Sequence, residues 1–420
     1  MHKSKASSSS TLRVIFSGRM WVTFAMGFAC GLPLLLTLSV LQAWMTEEGV
    51  DLGTIGLFSL VQLPYTLKFF WAPVMDRYTL PFLGRRRGWL LVVQVVLMLT
   101  IIGLGMTNPV ANPWIVALCA LLVTFFSASQ DIVVDAYRRE ALADNELGLG
   151  ASLYVNGYRI GMLLAGGGGL ILADIFSFQT VYLLLGLTML FGIVTTLIAT
   201  EPPTATGTPK TLKAAVIEPF VEYFQRTDAL WILAFILLYK LGDTMASAMT
   251  TPFYLDIGFT KTEIGAVVKL FGFWATIIGG LVGGIIILRI GIYRALWYFG
   301  ILQAVSTAGF AALAMIGNNT MALASVIAFE NLSGGMGTAA YVGFMAAMTD
   351  KRFTATQYAL LSSLMGVPRV LASAPTGYMA DFLGWFEFFV FCALIAIPGM
   401  LILRRFQHWS EQSDTSRGKD

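Results

Sequence analysis

Away from the first and last two positions of its long apolar runs, this 420-residue chain carries nine charged residues, and they are where its chemistry must reside. The cations are Lys68, Arg159, Lys240, Lys269 and Arg369; the carboxylates are Asp131, Asp135, Asp243 and Glu330. An ionisable group in hydrocarbon costs roughly 2.5–3.5 kcal/mol on insertion scales, so each is expected to face a partner or a water-filled cavity. The set carries an excess of one positive charge, which protonation of one carboxylate raises to two. A cavity lined this way suits an anionic solute, and a carboxylate that gains and loses a proton can drive its movement. Arg159, Lys240, Lys269 and Arg369 are the candidate solute-binding cations. Asn156 and Tyr154 place hydrogen-bonding groups close to Arg159 in sequence. Trp274 lies near Lys269, where a ring could hold a sugar face, although lipid or helix packing is the commoner role. Asp131 is the first candidate for the proton, followed by Glu330 and Asp243. Internal pairing is the competing role for these charges. Lys240 and Asp243 are three apart and can pair within one helix, and Asp131 and Asp135, four apart, share a face that Arg138 or Arg139 extends.

The same inventory excludes other chemistry. The two histidines, His2 and His408, sit in the tails, which argues against a His-based metal site or a catalytic triad. No G-x-x-x-x-G-K-[ST] loop occurs, so direct ATP drive is not expected unless a partner subunit supplies it. No catalytic residue, metal or cofactor is expected. Cys30, Cys119 and Cys392 all fall within apolar runs and read as free, buried thiols.

The elements that carry these residues are membrane spans. Hydrophobic residues make up 57% of the chain, charged residues 12%, and mean hydropathy is +0.74; soluble domains carry ~25% charged residues. A span needs ~20 apolar residues to cross a ~30 Å hydrocarbon core at ~1.5 Å per residue. Twelve runs qualify, at about 20–45, 53–75, 88–107, 113–137, 149–173, 178–199, 229–253, 262–288, 294–316, 320–348, 355–380 and 386–403. Of the 27 Lys and Arg, 21 fall in the tails and even-numbered loops and only Lys261 in an odd-numbered loop. Cytoplasmic loops retain Lys and Arg, so both termini are expected in the cytoplasm. The basic, Ser-rich N-terminus precedes a run too long for a signal-peptide core and shows no A-x-A pattern, so the first span reads as uncleaved.

Residues 200–228 form the longest connection, a Pro/Thr/Gly linker followed by LKAAVIEPFVEYFQR, which reads as an interfacial amphipathic helix. The expected organisation is an N-terminal six-helix half at 1–199, a cytoplasmic linker at 200–228 and a C-terminal six-helix half at 229–420. The halves share landmarks. Thr54-Ile55-Gly56 opens span two and Glu263-Ile264-Gly265 opens span eight, 209 residues later; Ala173-Asp174 and Ala380-Asp381 end spans five and eleven, 207 residues apart. With six spans each, the halves have one orientation, the parallel repeat of the major facilitator plan. The fold class is therefore an all-α integral membrane protein of twelve transmembrane helices.

At the basic mouth, Asp76-Arg77, Arg85, Arg86 and Arg87 can form inter-helix bridges that break as the halves rock. Asp135 and Arg138 belong with them as candidate gating residues, against the plainer role of topological anchoring. Gly166–Gly169, five glycines of span eight and Gly334, Gly335 and Gly337 of span ten favour close helix approach. Trp21, Trp44, Trp71, Trp89 and Trp114 fall near span ends and read as interfacial belts.

Several segments resemble the AmpG-type muropeptide permease family: GFACGLPLLLTLSVLQAWM at 27–45, PYTLKFFWAPVMDR at 64–77, GRRRGW at 84–89, SASQDIVVDAYRREAL at 127–142 and ELGLGASLYVNGYRIGML at 146–163. The match is close in the N-terminal half and looser in the C-terminal half. The resemblance implies a multi-pass protein of the bacterial inner membrane. It would import GlcNAc–1,6-anhydro-MurNAc and its peptide derivatives with protons, for peptidoglycan recycling, as a monomer. In some hosts such recycling also feeds β-lactamase induction. Two departures stand out. Some family members carry two further C-terminal helices, which bears on substrate range. The generic facilitator loop motif sets Gly and Asp-Arg closer to its basic run, which bears on the gate.

An acetyl-CoA-type organic anion is the nearest alternative solute. A muropeptide sensor that moves nothing is an alternative of another class. A membrane-embedded enzyme would need a catalytic cluster in a sizeable loop, and the one long loop, 200–228, has none. Nothing suggests nucleic-acid binding, because the basic residues are spread over six loops and the tails.

Overall fold

The computed structural model describes residues 14–50, 54, 58–203, 211–260, 263–368, 372 and 375–406, and every regular element in them is helical. We number the spans α1 to α12. Among the described residues, eight helices are by themselves long and apolar enough to cross a bilayer: α1 Gly18–Glu47, α3 Arg85–Gly105, α4 Pro113–Ala141, α6 Phe178–Ile198, α7 Ala229–Asp256, the Ala266–Ile290 part of α8, α9 Ile292–Ile316 and α12 Trp385–Phe406. The other four spans are more polar or broken. They are α2 (58–77), α5 (147–173), α10 Thr320–Ala347 and α11, whose described helices are Thr354–Met365 and Thr376–Leu383. Arg369, Lys261, Ile55-Gly56, His2 and His408 lie outside the described residues, and of Lys269 the backbone alone is described.

Internal contacts divide the chain into two units. One comprises Met1–Pro219 with Thr349–Leu360; the other comprises Phe220–Met348 with Leu361–Asp420. Within the first, α1 and α5 meet backbone to backbone. A methyl group added at Gly27 or Gly31 would sit 2.2 or 1.9 Å from the carbonyl oxygens of Tyr154 and Tyr158. Gly157 and Gly161 present the same closeness, 2.2 Å each, to the carbonyl oxygens of Phe24 and Phe28. Two small-xxx-small faces thus interlock, an arrangement that replaces hydrophobic drive with contact and dispersion in lipid. In the second unit α8 and α10 close in the same way: a methyl group added at Gly279 would sit 2.2 Å from the Leu332 carbonyl oxygen, and one at Gly335 2.3 Å from that of Thr276.

The linker helix covers Leu212–Gln225. α4 runs four residues past its expected end because Tyr137, Arg138, Arg139 and Glu140 are buried. Two of the expected interfacial tryptophans are packing residues instead. Trp44 is buried and stacks on Phe178 at 5.7 Å, and the Trp71 indole donates to Ser129 at 3.0 Å. The three cysteines are free, with Cys119 only partly buried.

Candidate functional site

Each described intramembrane cation sits at or near a break in α-helical geometry. Lys68 opens a 3₁₀ turn, Lys68–Phe70, within α2. Lys240 separates the two α-helical pieces of α7, Ala229–Leu238 and Leu241–Asp256. Lys269 lies in the π-helical stretch Ile264–Phe271 of α8, and Arg159 shortly precedes the π stretch Leu164–Gly168 of α5. Such local departures free backbone groups and re-aim side chains, and they concentrate at functional positions.

In the second unit, α7 and α10 bring together three charges. Lys240 Nζ lies 3.1 Å from Asp243 Oδ2. The Asp243 carboxyl is in turn a hydrogen-bonding partner of Glu330. Ser306 of α9 donates to Glu330 at 2.5 Å and lies 2.8 Å from Ser333. Lys240 and Asp243 keep 16% and 26% of their side-chain surface, so the trio is neither sealed nor fully exposed. Asp243 also borders a small cavity with Tyr239, Gln303 and Thr307.

In the first unit, α4 carries a column of charge. Asp131 and Asp135 are buried, and both feel the buried Lys68. Arg138 donates to Asp135 at 3.1 Å and to the Tyr358 hydroxyl at 2.9 Å, and its guanidinium lies 4.8 Å from the Tyr154 ring centroid. Tyr154 is therefore engaged by Arg138. Asn156 is 1% exposed, and neither atom of its amide, nor Oδ1 of Asp131, meets a hydrogen-bonding partner among the described residues. Buried polar atoms left this way are costly unless a solute or water serves them. Arg159 is half-buried on α5.

At the basic end of the same unit lies a second, tighter cluster. Arg86, 0% exposed, donates to Asp76 at 2.8 Å, to Glu140 at 2.6 Å, to Thr354 at 2.7 Å and to the Met75 carbonyl at 3.1 Å. Arg85 adds a 2.6 Å bond to Glu140. Asp76 Oδ2 accepts from both the backbone N–H and the hydroxyl of Thr356, each at 2.8 Å. A carboxylate thus holds the buried N–H groups at the start of the Thr354–Met365 helix, which have no partner within the helix and favour an anion. Arg87 turns elsewhere, donating to the Thr196 and Leu197 carbonyls at the end of α6 at 2.9 and 2.6 Å. Glu201 accepts from the Arg86 and Arg87 N–H groups at 2.8 and 3.0 Å and so caps α3.

The structure therefore unites Asp76, Arg85 and Arg86, and it unites Asp135 with Arg138. Arg77 stands apart, over the Tyr78 ring at 5.3 Å. Trp274 is 53% exposed and shares its strip with the apolar Phe271, Ile278 and Leu281. Glu140, Thr354, Thr356 and Tyr358 were not singled out in the sequence. Their only local signal was a carboxylate directly after Arg138-Arg139, and the Arg86–Thr354 contact spans 268 residues.

Residues 19–373 match the Major Facilitator Superfamily. The anhydromuropeptide permease of Escherichia coli K12 is 45% identical over 399 residues, covering 94% of this chain and 81% of that protein. A proton:xylose symporter structure superposes with a TM-score of 0.69 at 10% identity, covering 95% of this chain and 96% of that one. An E. coli fucose:proton symporter gives 0.70 at 12%, covering 92% and 97%. These two likenesses concern the fold alone. The family match, the near-full-length relative and the helical plan agree: the chain belongs to the major facilitator superfamily, as a multi-pass membrane transporter of twelve helices in two parallel-repeat halves.

Proposed function

We propose that this transporter imports anhydromuropeptides, GlcNAc–1,6-anhydro-MurNAc and its peptide derivatives, across the bacterial inner membrane for peptidoglycan recycling. The observation that carries this reading is the 45% identity, over 94% of the chain, to a protein named for that solute. The Lys and Arg asymmetry supports cytoplasmic termini. The protein acts as a monomer by alternating access, with organisation 1–199, 200–228 and 229–420. Arg159, Lys240, Lys269 and Arg369 hold the solute's carboxylates, and Asn156 serves its polar groups. Trp274 is left out because of its apolar strip, and Tyr154 acts through Arg138. Asp76, Arg85, Arg86, Asp135 and Arg138 form the cytoplasmic gate, with Glu140 added to them.

Protons drive uptake, and Asp131 is the first carrier. It has an unmatched oxygen, a nearby cation and a place on a helix that runs to the basic end. Glu330 with Asp243 is the second reading, favoured by their carboxyl–carboxyl contact, which holds a proton between two like groups.

Uptake into proteoliposomes tests this, comparing the anhydro-disaccharide, its peptide forms and acetyl-CoA with and without an imposed proton gradient. The muropeptides are expected to accumulate only with the gradient. Preference for acetyl-CoA would overturn the solute, and binding without uptake would indicate a sensor. Flux indifferent to the gradient and to uncouplers would remove proton coupling. Asp131→Asn is expected to abolish uphill uptake and spare exchange; full accumulation by that variant moves the proton to Glu330 and Asp243.

A further inference from the structure

A cleft in the second unit lies outside the solute path described above. It has a volume of about 760 Å³ and is lined by Arg226, Asp228, Ile232, Met348, Arg404 and Arg405, among others. These residues come from three helix ends at the basic end: the start of α7, the end of α10 and the end of α12. Three guanidiniums face one carboxylate there. Arg405 pairs with Asp228 at 3.1 Å while remaining 54% exposed. Arg226 is held by Glu222 at 2.7 Å and by the Met348 carbonyl. Arg404 is exposed and has no ion pair among the described residues. The lining is therefore net cationic.

The surroundings of the cleft are those of a bilayer interface. Leu230 and Trp231, at the start of α7, are 71% and 47% exposed, and the Arg405 guanidinium lies 6.0 Å from the Trp231 ring centroid. The linker helix, which ends at the residue before Arg226, turns Tyr223 inward and leaves Val216, Ile217, Val221 and Phe224 exposed. At ~100° per residue those four share one face. An apolar face of a short amphipathic helix, beside tryptophan and arginine, lies at headgroup depth. Basic pockets between spans on the cytoplasmic side bind phosphate-bearing headgroups.

We propose that this cleft is a binding site for the phosphate of an anionic phospholipid, with Arg404 and Arg405 as its principal ligands and the exposed Leu230 and Trp231 beside its acyl chains. Arg405 exchanges part of its hold on Asp228 for the headgroup. The site is independent of which solute the transporter carries.

The test uses the full chain purified from membranes containing phosphatidylglycerol and phosphatidylcholine, with retained lipid counted by native mass spectrometry during graded detergent washing. The wild-type protein is expected to retain phosphatidylglycerol preferentially. Each lost arginine is expected to lower that retention by about fivefold, so Arg404→Gln/Arg405→Gln loses nearly all of it. Arg289→Gln, which removes a charge from the last turn of α8, is expected to keep wild-type retention. Equal retention of both lipids, or unchanged retention in the double variant, overturns the site. A like loss in Arg289→Gln reduces the effect to general surface charge and overturns it too. Glycerol phosphate at matched concentration distinguishes a lipid from a free phosphate-bearing anion; full displacement by it overturns the lipid assignment. A helical circular-dichroism spectrum and unchanged elution of the double variant establish that it folds.

Discussion

Two charged clusters in this chain use the same residue types for opposite ends. Around Arg86, every carboxylate is met by guanidinium, hydroxyl or backbone N–H, and the side chains of Asp76 and Arg86 are 0% exposed. Around Lys240, one cation serves two carboxyls, hydroxyls make up part of the deficit, and a sixth to a quarter of the pair's surface stays open. Removing charges from water costs several kcal/mol per ion, and only saturated geometry repays it. The Arg86 cluster comes close to that condition, with Arg85 Nη1 its one buried atom that meets no partner among the described residues, and can bear load in the fold. The Lys240 cluster is partly open instead, and charges that solvent can reach are ones that an ionic solute can reach too.

The comparison is broken most directly at Arg86. Arg86→Ala strands Asp76 and Glu140 in a buried site, and breaking a buried pair in this way costs about 3–5 kcal/mol. Chemical unfolding in detergent should register that loss even in the absence of any solute. If Arg86→Ala were as stable as the wild type, the cluster would not carry the fold and the contrast drawn above would fail.

Lys240→Gln should do the reverse. The half-open pair it removes contributes about 0–1 kcal/mol to stability, as exposed pairs do. A lost charge-assisted bond to solute is worth about 1.5–3 kcal/mol, roughly 10- to 150-fold in apparent affinity. The KM for uptake of an acidic muropeptide should rise by that factor with little change in unfolding. A variant that unfolds readily and binds normally would make Lys240–Asp243 a structural pair, the role that its i, i+3 spacing alone already allowed.

How much of this was legible in the sequence follows from how local each signal is. The twelve-span plan was, because the absence of Lys and Arg from alternate loops needs no knowledge of packing. The Lys240–Asp243 pair was, because three residues on a helix fix its geometry. Glu140 was not. Its partners are Arg86, 54 residues back, and Thr354, 214 residues on, and nothing near it in the chain announces either. The run Arg85-Arg86-Arg87 was legible as basic but not as three different devices. Steps of ~100° per residue send Arg85 and Arg86 to Glu140 and Arg87 to the carbonyls ending α6. The role of Trp274 was not legible for a related reason. Proximity to Lys269 in sequence says nothing about which face of α8 a ring occupies, and the exposed strip it joins is apolar throughout.

A smaller perturbation asks whether the saturated cluster is a strut or a latch. Thr356→Val keeps shape and volume and keeps the backbone N–H that Asp76 accepts at 2.8 Å, but removes the hydroxyl that donates to the same oxygen. Loss of one such bond to a carboxylate at a helix start costs about 1 kcal/mol. If the cluster is a latch that opens in each cycle, that energy comes off the closed state alone, and about 1 kcal/mol moves a two-state population roughly fivefold. Turnover at saturating solute should then change by about threefold to fivefold, with KM nearly constant because no solute contact is touched. If it is a strut, both conformations lose the same bond and turnover stays at the wild-type value while unfolding shifts by the same amount. The latch is the expected outcome of the gate role proposed above; Asp76 and Thr356 themselves belong to one unit, and the helix that Asp76 grips continues from Leu361 into the other.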